Sequence, residues 1–258
     1  MAESAPLSGR TAIVTGASSG IGLATANLFA DMGAKVHGAA RRREAMAEGA
    51  GTERVASGSF VPHALDVADW EAVGRTVAEV GEESGIDVLV AAAGMNVKGR
   101  RLEDLTPEVW EKMLAVNLSG AFYAVRAALP YLRASGGLVI LISSVSGSWP
   151  DASGPAYQAS KAGMSEFAHA AGFEEHANGV RFTSVNPGIV DTPILDNRPE
   201  PPSPEIRAAS LKPEDVAATC LFLATLHPRA YVPELTILPT EIQALGKSST
   251  ASPPVPGR

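Results

Sequence analysis

From residue 15 to residue 22 the sequence reads TGASSGIG, directly after the apolar run 11–15 and before a segment of helical periodicity at 23–32. The glycines let the backbone turn tightly, and the following helix offers free N–H groups and its positive dipole end to a pyrophosphate. The stretch therefore predicts a phosphate cradle at a strand-to-helix turn. Its spacing differs from G-x-G-x-x-G, and a purely structural turn is the alternative interpretation.

Apolar runs of strand length recur along the chain, with helix-length segments between most of them. This alternation is typical of βαβ units and predicts an α/β fold with a doubly wound parallel sheet of about seven strands. Proline at the first helical position predicts helices that begin at Pro107 and Pro213. The runs lie at 11–15, 35–39, 60–65, 88–92, 138–142, 180–185 and 235–238.

Length and composition indicate one soluble domain, which we expect over residues 1–245, with a disordered Ser/Pro/Gly tail over 246–258. A formal net charge of −7 disfavours a nucleic-acid partner, and neither a secretion signal nor a membrane span is visible. The single cysteine, Cys220, suits a reducing compartment, so we expect a cytoplasmic protein without a membrane partner. The five histidines lack metal-ligand spacing, so no metal site is expected.

The second apolar run is followed by Ala40, Arg41 and Arg42. An acid near this position would hold the adenosine 2′-hydroxyl of NAD. The alanine removes that carboxylate, and guanidinium groups bind a 2′-phosphate well. The sequence therefore predicts a preference for NADP(H), while NAD(H) stays open as the other cofactor. A solvated basic start to the next helix would explain the arginines equally simply.

Tyr157 and Lys161 stand four residues apart, so a helix would project both from one face. A nearby ammonium group lowers the pKa of a phenol from about 10 toward neutrality and makes it a usable acid and base. Ser144 follows the run 138–142, at the sheet edge where α/β proteins bind ligands, and its hydroxyl can hold a substrate oxygen. An amphipathic surface pair and ordinary loop polarity are the competing interpretations.

These residues, in number and order, resemble the short-chain dehydrogenase/reductase family in its common single-domain form. The resemblance spans residues 7–238 and adds the motifs Leu65-Asp66-Val67, Ala93-Gly94, Val116-Asn117 and Asn186-Pro187-Gly188 to those above. It implies a Rossmann fold and hydride transfer between NAD(P) and a ketone or secondary alcohol. It also implies a homodimer or homotetramer, built through helices expected at 107–133 and 155–177.

The resemblance also implies a role for individual residues. Tyr157 would be the proton donor in reduction and the base in oxidation, and Lys161 would lower its pKa and bind the nicotinamide ribose. Ser144 would hydrogen-bond the carbonyl oxygen, and Asn117 would hold a water that links Lys161 to solvent. The implied cofactor-binding residues are Gly16, Ser18, Ser19, Gly20, Ile21, Gly22, Arg41, Arg42, Asp66, Val67, Ala93, Gly94, Tyr157, Lys161, Pro187, Gly188, Ile189 and Thr192.

Residues beside these motifs suggest a partly apolar substrate pocket for a small carbonyl or alcohol, namely Met95, Trp149 and Ile194. Packing or loop surface would explain each of them as well. The sequence departs from the family pattern at Ala91-Ala92, where an Asn-Asn pair usually braces the fourth strand. The segment 198–204, RPEPPSP, stands where many members carry a longer helical lid.

An NADPH-dependent carbonyl reductase that works reversibly as an alcohol dehydrogenase is the function these observations favour. A ketoreductase for 3-oxoacyl-carrier or polyketide substrates is an alternative within the same class. A catalytically silent NADP-binding regulator or scaffold is the alternative from another class, and the change to Ala91-Ala92 is its support.

Overall fold

The computed structural model describes residues 5–242, and residues 1–4 and 243–258 lie outside that part. The tail expected over 246–258 is therefore outside the described residues. The strands are β1 Thr11–Thr15, β2 Lys35–Ala40, β3 Phe60–Ala64, β4 Val88–Ala91, β5 Leu138–Ile142, β6 Arg181–Pro187 and β7 Glu234–Ile237. The α-helices are α1 Gly20–Asp31, α2 Arg43–Ala50, α3 Thr52–Ser57, α4 Trp70–Ser84, α5 Pro107–Leu114, α6 Gly120–Ser135, α7 Pro155–Glu175, α8 Pro204–Ala209 and α9 Pro213–Thr225.

The strands form one sheet in the order β3-β2-β1-β4-β5-β6-β7, and every neighbouring pair within the described residues is parallel. The chain runs from β1 outward to β3 on one side and then crosses to β4 on the other. Thr15 consequently pairs with both Ala39 and Ala91 at the ends of the strands. This reversal of strand order is where open α/β sheets bind ligands. The predicted doubly wound Rossmann fold is confirmed.

Helices cover both faces of the sheet, and each face has its own apolar core. On one side α1 packs against α9, with Phe29, Met46 and Phe60 fully buried beneath them. On the other side α4 packs against α6, and Met164 and Phe182 are buried there. A strand such as β5, with the sequence LVILI, is buried along its whole length because both of its faces meet helices.

The long helix expected at 107–133 is interrupted by a wider, π-helical turn at Ala115–Ser119, which joins α5 to α6. Gly120 follows this turn, and a Cβ there would meet the side chain of Val67 at 2.8 Å. Thr106 caps α5, since its hydroxyl accepts the N–H of Val109. π-helical turns are uncommon and occur mostly at functional sites, so this interruption points to the region around Asn117.

None of the helices in residues 5–242 combines the length and apolar character needed to cross a membrane. No group of three or more His, Cys, Asp or Glu side chains in this part of the chain could hold a metal ion.

Candidate active site

A cleft of about 710 Å³ lies along the carboxyl edge of the sheet, above the point where the strand order reverses. All of the residues that the sequence analysis expects at the cofactor line it. They are Gly16, Ser18, Ser19, Gly20, Ile21, Gly22, Arg41, Arg42, Asp66, Val67, Ala93, Gly94, Tyr157, Lys161, Pro187, Gly188, Ile189 and Thr192. Residues separated by up to 176 positions in the sequence thus share one cavity.

The glycine-rich turn brings α1 against the end of β4 with no room for side chains at two positions. A Cβ on Gly16 would lie 2.7 Å from the backbone nitrogen of Ala93, and one on Gly22 would lie 2.5 Å from the carbonyl oxygen of Gly16. Ser19 precedes α1 in an extended conformation, and no side chain caps the first turn. The N–H groups of this turn therefore face the cleft, and the site fits a pyrophosphate.

Arg41 and Arg42 follow β2 at the edge of the same cleft, and both are exposed. Arg42 donates to the hydroxyl of Ser18 at 3.5 Å, and neither arginine forms an ion pair with another described residue. Arg43 differs, because its Nε donates to the carbonyl of Pro62 at 3.1 Å. The first two guanidinium groups are thus the ones placed to meet a 2′-phosphate.

At the other end of the cleft, α7 and the end of β5 bring Ser144, Tyr157 and Lys161 together. Lys161 is 4% exposed, and its Nζ donates to the carbonyl of Ile142 at 2.8 Å. The same nitrogen lies 5.8 Å from the centroid of the Tyr157 ring. The oxygen of Ser144 accepts the N–H of Ser146 at 3.1 Å, and its hydroxyl also interacts with Tyr157. A hydroxyl, a phenol and an ammonium group therefore meet at one point of the cleft.

The pKa values of this group differ from the sequence expectation. Burial raises the pKa of Tyr157 to about 12, and a hydrogen bond with Ser144 acts in the opposite direction. Burial lowers the pKa of Lys161 to about 8. The net lowering of the phenol pKa that the sequence predicts is therefore wrong, because burial outweighs the groups that lower it. In this arrangement Tyr157 is protonated at neutral pH and can serve as an acid.

Asn117 is fully buried in the π-helical turn and does not line the cleft. Its Oδ1 accepts the N–H of Met95 at 2.8 Å, while its Nδ2 donates to the Met95 carbonyl at 3.1 Å and to Ser160 Oγ at 3.0 Å. Nearby, the N–H of Ala93 donates to Thr15 Oγ1 at 3.3 Å. Hydrogen bonds with Thr15 and Asn117 thus hold the segment after β4 in place. The side chains of Ala91 and Ala92 cannot do so, because they have no hydrogen-bonding groups. The water expected at Asn117 stays a prediction.

Two of the residues expected at the substrate, Met95 and Ile194, line the cleft, but Trp149 does not. Trp149 is 37% exposed and faces a separate shallow groove beside Gln158. The cause is local, because the short helical turn Val145–Gly147 and the following Pro150 carry residue 149 away from the cleft. Trp149 thus lies outside the cleft, and its expected contact with the substrate stays a prediction.

Two arginines that the sequence did not predict as site residues, Arg100 and Arg198, line the substrate end of the cleft. Each lies in a loop beyond the carboxyl end of a strand, β4 for the first and β6 for the second. That position in the chain, together with the charge, is the signal that could have identified them. Neither belongs to a motif of the resemblance.

A family model described as short chain dehydrogenase matches residues 10–202 of this chain. The 2,5-dichloro-2,5-cyclohexadiene-1,4-diol dehydrogenase of Sphingobium indicum is 37% identical over 227 residues, which cover 85% of this chain and 90% of that protein. An alcohol dehydrogenase from Thermococcus sibiricus, solved with 5-hydroxy-NADP, has a TM-score of 0.79 at 29% identity, covering 90% of this chain and 97% of its own. A serine dehydrogenase solved in its closed form with NADP+ has a TM-score of 0.82 at 29% identity, with coverage of 95% and 98%.

The chain belongs to the short-chain dehydrogenase family. It is accordingly an NAD(P)-dependent oxidoreductase that acts on CH–OH groups.

Proposed function

We propose that this protein is an NADPH-dependent carbonyl reductase that also works in reverse, oxidising secondary alcohols to ketones. The observation that carries the proposal is the convergence of Ser144, Tyr157 and Lys161 at one end of a cleft whose other end is a phosphate cradle. These are a hydrogen-bond donor, a protonated acid and a cation, which together match the needs of carbonyl reduction.

In this mechanism NADPH, when bound, supplies the hydride that the carbonyl carbon receives. Ser144 donates its hydroxyl proton in a hydrogen bond to the carbonyl oxygen and holds it beside Tyr157. Tyr157 transfers its phenolic proton to that oxygen as negative charge develops there, so the product is an alcohol. In alcohol oxidation the phenolate accepts the proton instead.

Lys161 stabilises the negative charge that Tyr157 acquires when it gives up its proton. A cation 5.8 Å from the ring favours the phenolate over the phenol, and the ammonium group is also placed to bind the ribose hydroxyls. Asn117 would hold the water through which a new proton reaches Lys161. Its side chain fixes the backbone of Met95 at the same time.

NADPH is the preferred cofactor in this proposal. The exposed guanidinium groups of Arg41 and Arg42 support it, as does the absence of a carboxylate at Ala40 that would repel a 2′-phosphate. Two of the structures similar to this chain hold NADP+ or a hydroxylated NADP.

We also propose that the protein is a homodimer or homotetramer. Phe122, on one of the helices expected to form the interface, is exposed and stacks on the exposed Trp70 of α4 at 6.4 Å. It is also in edge contact, at 6.0 Å, with the partly buried Phe167 of α7. Exposed aromatic clusters of this kind favour association. Light scattering should give a multiple of the chain mass of 26.6 kDa. The mass of a single chain would refute the assembly.

The test of the proposed activity is a panel of ketones, aldehydes and 3-oxoacyl thioesters, followed by the loss of NADPH absorbance. Turnover with free ketones would support the carbonyl reductase. Turnover confined to carrier-bound thioesters would replace it by the ketoreductase. Cofactor binding by calorimetry without turnover on any carbonyl would overturn the proposal in favour of a silent NADP-binding protein.

A further inference from the structure

We propose that Arg100 and Arg198 form an anion-binding subsite at the substrate end of the cleft, so that the substrate carries a carboxylate or phosphate group close to its reacting carbonyl. This inference rests on the proposed function, because it names the class of substrate for the same site. Both arginines line the cavity that contains Ser144 and Tyr157.

Arg100 is a buried charge whose position is fixed by the backbone. Only 5% of the residue is exposed, and its Nε donates to the carbonyl of Val97 at 2.9 Å. Its Nη2 donates to the carbonyl of Asn197, in the turn that ends next to Arg198. These hydrogen bonds, within residues 5–242, use two of its three nitrogens, and Nη1 stays available to a ligand.

The loop that carries Arg100 is fastened to the segment that leads into α7 and Tyr157. Asn96 Nδ2 donates to the carbonyl of Ser153 at 3.0 Å. Gly154, with φ of +88°, packs so closely that a Cβ there would lie 2.3 Å from the Arg100 carbonyl oxygen. The guanidinium group is therefore held in a constant relation to the phenol that reacts.

Neither Arg100 nor Arg198 forms an ion pair with any residue in the described part of the chain. The carboxylate of Asp151 faces both arginines, but it accepts hydrogen bonds from Ser146 Oγ at 2.6 Å and from the Ser153 N–H at 2.8 Å. Glu200 also lines the cleft and is exposed. A buried guanidinium without an ion-pair partner is costly, and an anionic ligand would offset that cost.

The charges near Tyr157 agree with such a subsite. Burial lowers the pKa of Arg100, and the like charge of Arg198 lowers it further, so the fold holds two cations close together in a desolvated place. Paired guanidinium groups bind a carboxylate or phosphate through several charge-assisted hydrogen bonds. The pyrophosphate and 2′-phosphate of the cofactor have their own sites, at the glycine-rich turn and at Arg41 and Arg42.

The test compares a 2-oxo or 3-oxo acid, its neutral methyl ester and the corresponding oxo phosphate, with NADPH as the reductant. The wild type should reduce at least one of the two anions with a KM tenfold or more below that of the ester. A lower KM for the acid would identify a carboxylate substrate, and a lower KM for the phosphate ester would identify a phosphorylated one. Equal KM values for all three compounds would overturn the subsite.

Arg198→Gln is the first variant, because this side chain is only half-buried and its loss should leave the fold intact. It should raise the KM for the preferred anion at least tenfold while the KM for the methyl ester and for NADPH changes less than twofold. Arg101→Gln is the matched control, since Arg101 is exposed and pairs with Glu103 instead of lining the cleft. Loss of both the acid and the ester activities to the same extent in Arg198→Gln would contradict the proposal.

Calorimetry with the unreactive carboxylate oxamate, on the protein saturated with NADP+, separates this inference from the proposed function. Oxamate binding that Arg198→Gln weakens tenfold would support the subsite even if no carbonyl compound were reduced. Absence of oxamate binding, together with equal KM values for the oxo phosphate and the methyl ester and retained reduction of neutral ketones, would leave the reductase and refute the subsite.

Discussion

The ammonium nitrogen of Lys161 donates to the carbonyl of Ile142 at 2.8 Å and lies 5.8 Å from the centroid of the Tyr157 ring. Ile142, the last residue of β5, thereby holds the ammonium group of Lys161 close to the Tyr157 ring. The pKa of Lys161, lowered by burial to about 8, leaves most of the side chain protonated at neutral pH. Tyr157 and Lys161 therefore work as an acid and a fixed charge, each on its own turn of α7.

Replacing Lys161 by methionine should remove this charge and keep the aliphatic stem. We expect kcat for alcohol oxidation to fall at least a hundredfold, because the phenol loses the cation that favours its deprotonated form. The pH at which the oxidation rate rises should move upward, since the pKa of Tyr157 rises further. Steady-state kinetics between pH 6 and pH 10 would measure both effects. An unchanged pH profile would remove Lys161 from this role.

Cofactor choice should depend on Arg41 and not on Arg43. In Arg41→Ala, KM for NADPH should rise by roughly 10- to 100-fold, as expected for losing a charge-assisted contact of about 1.5–3 kcal/mol, while KM for NADH stays the same. Arg43→Ala is the matched control, because Arg43 is engaged with the carbonyl of Pro62. Equal losses in the two variants, or none in Arg41→Ala, would count against the 2′-phosphate site.

Asn117 should contribute to stability as well as to the site. Asn117→Ala removes two part-buried hydrogen bonds to Met95 and a buried one to Ser160, so the free energy of unfolding should fall by roughly 2–4 kcal/mol. Thr15→Val removes the single, longer bond to Ala93 and should cost about 1 kcal/mol. Urea unfolding would measure both. A loss in Asn117→Ala no larger than that in Thr15→Val would refute the bracing role.

Stability should depend on pH through the stacked pair His37 and His63, whose Nδ1 and Nε2 atoms lie 3.0 Å apart. Burial lowers the pKa of His37 from 6.5 to about 4, so the unfolded chain binds more protons than the folded one between these values. The stabilisation is complete above pH 6.5 and is lost as the pH falls toward 4. The wild type should lose roughly 1–2 kcal/mol between pH 7.5 and pH 5.5.

His37→Gln should reduce this loss, and His227→Gln, at an exposed position, should keep it. Urea titrations of the three proteins at both pH values would decide the matter. The same pH dependence in His37→Gln and the wild type would show that the buried pair is not its source.

Strands and the phosphate cradle could be predicted from the sequence because they depend on local patterns. Continuous apolar runs such as 138–142 are found buried as strands, and the glycine spacing at 15–22 encodes its own turn. The π-helical turn at Ala115–Ser119 could not be predicted, since it arises where Asn117 bonds to Met95, 22 residues away. Arg100 could not be predicted as a site residue for a similar reason, because only tertiary contacts bring its loop to Tyr157.

The resemblance to the family predicts more of the site than local patterns do, but only for residues that lie within its motifs. Tyr157 and Lys161 have fixed positions in a motif, and the structure brings them together with Ser144 in one cleft. Trp149 was chosen only for lying near a motif in the chain. Its direction depends on the turn before Pro150, which neighbouring residue types do not encode.

The most direct test of the central claim is the rate of NADPH-dependent ketone reduction by Tyr157→Phe, measured beside NADPH affinity by calorimetry. The variant lacks only the phenolic oxygen, so we expect a fall in kcat of at least a hundredfold with an NADPH Kd within threefold of the wild type. Ketone reduction at a rate close to that of the wild type would contradict the assignment of Tyr157 as the proton donor.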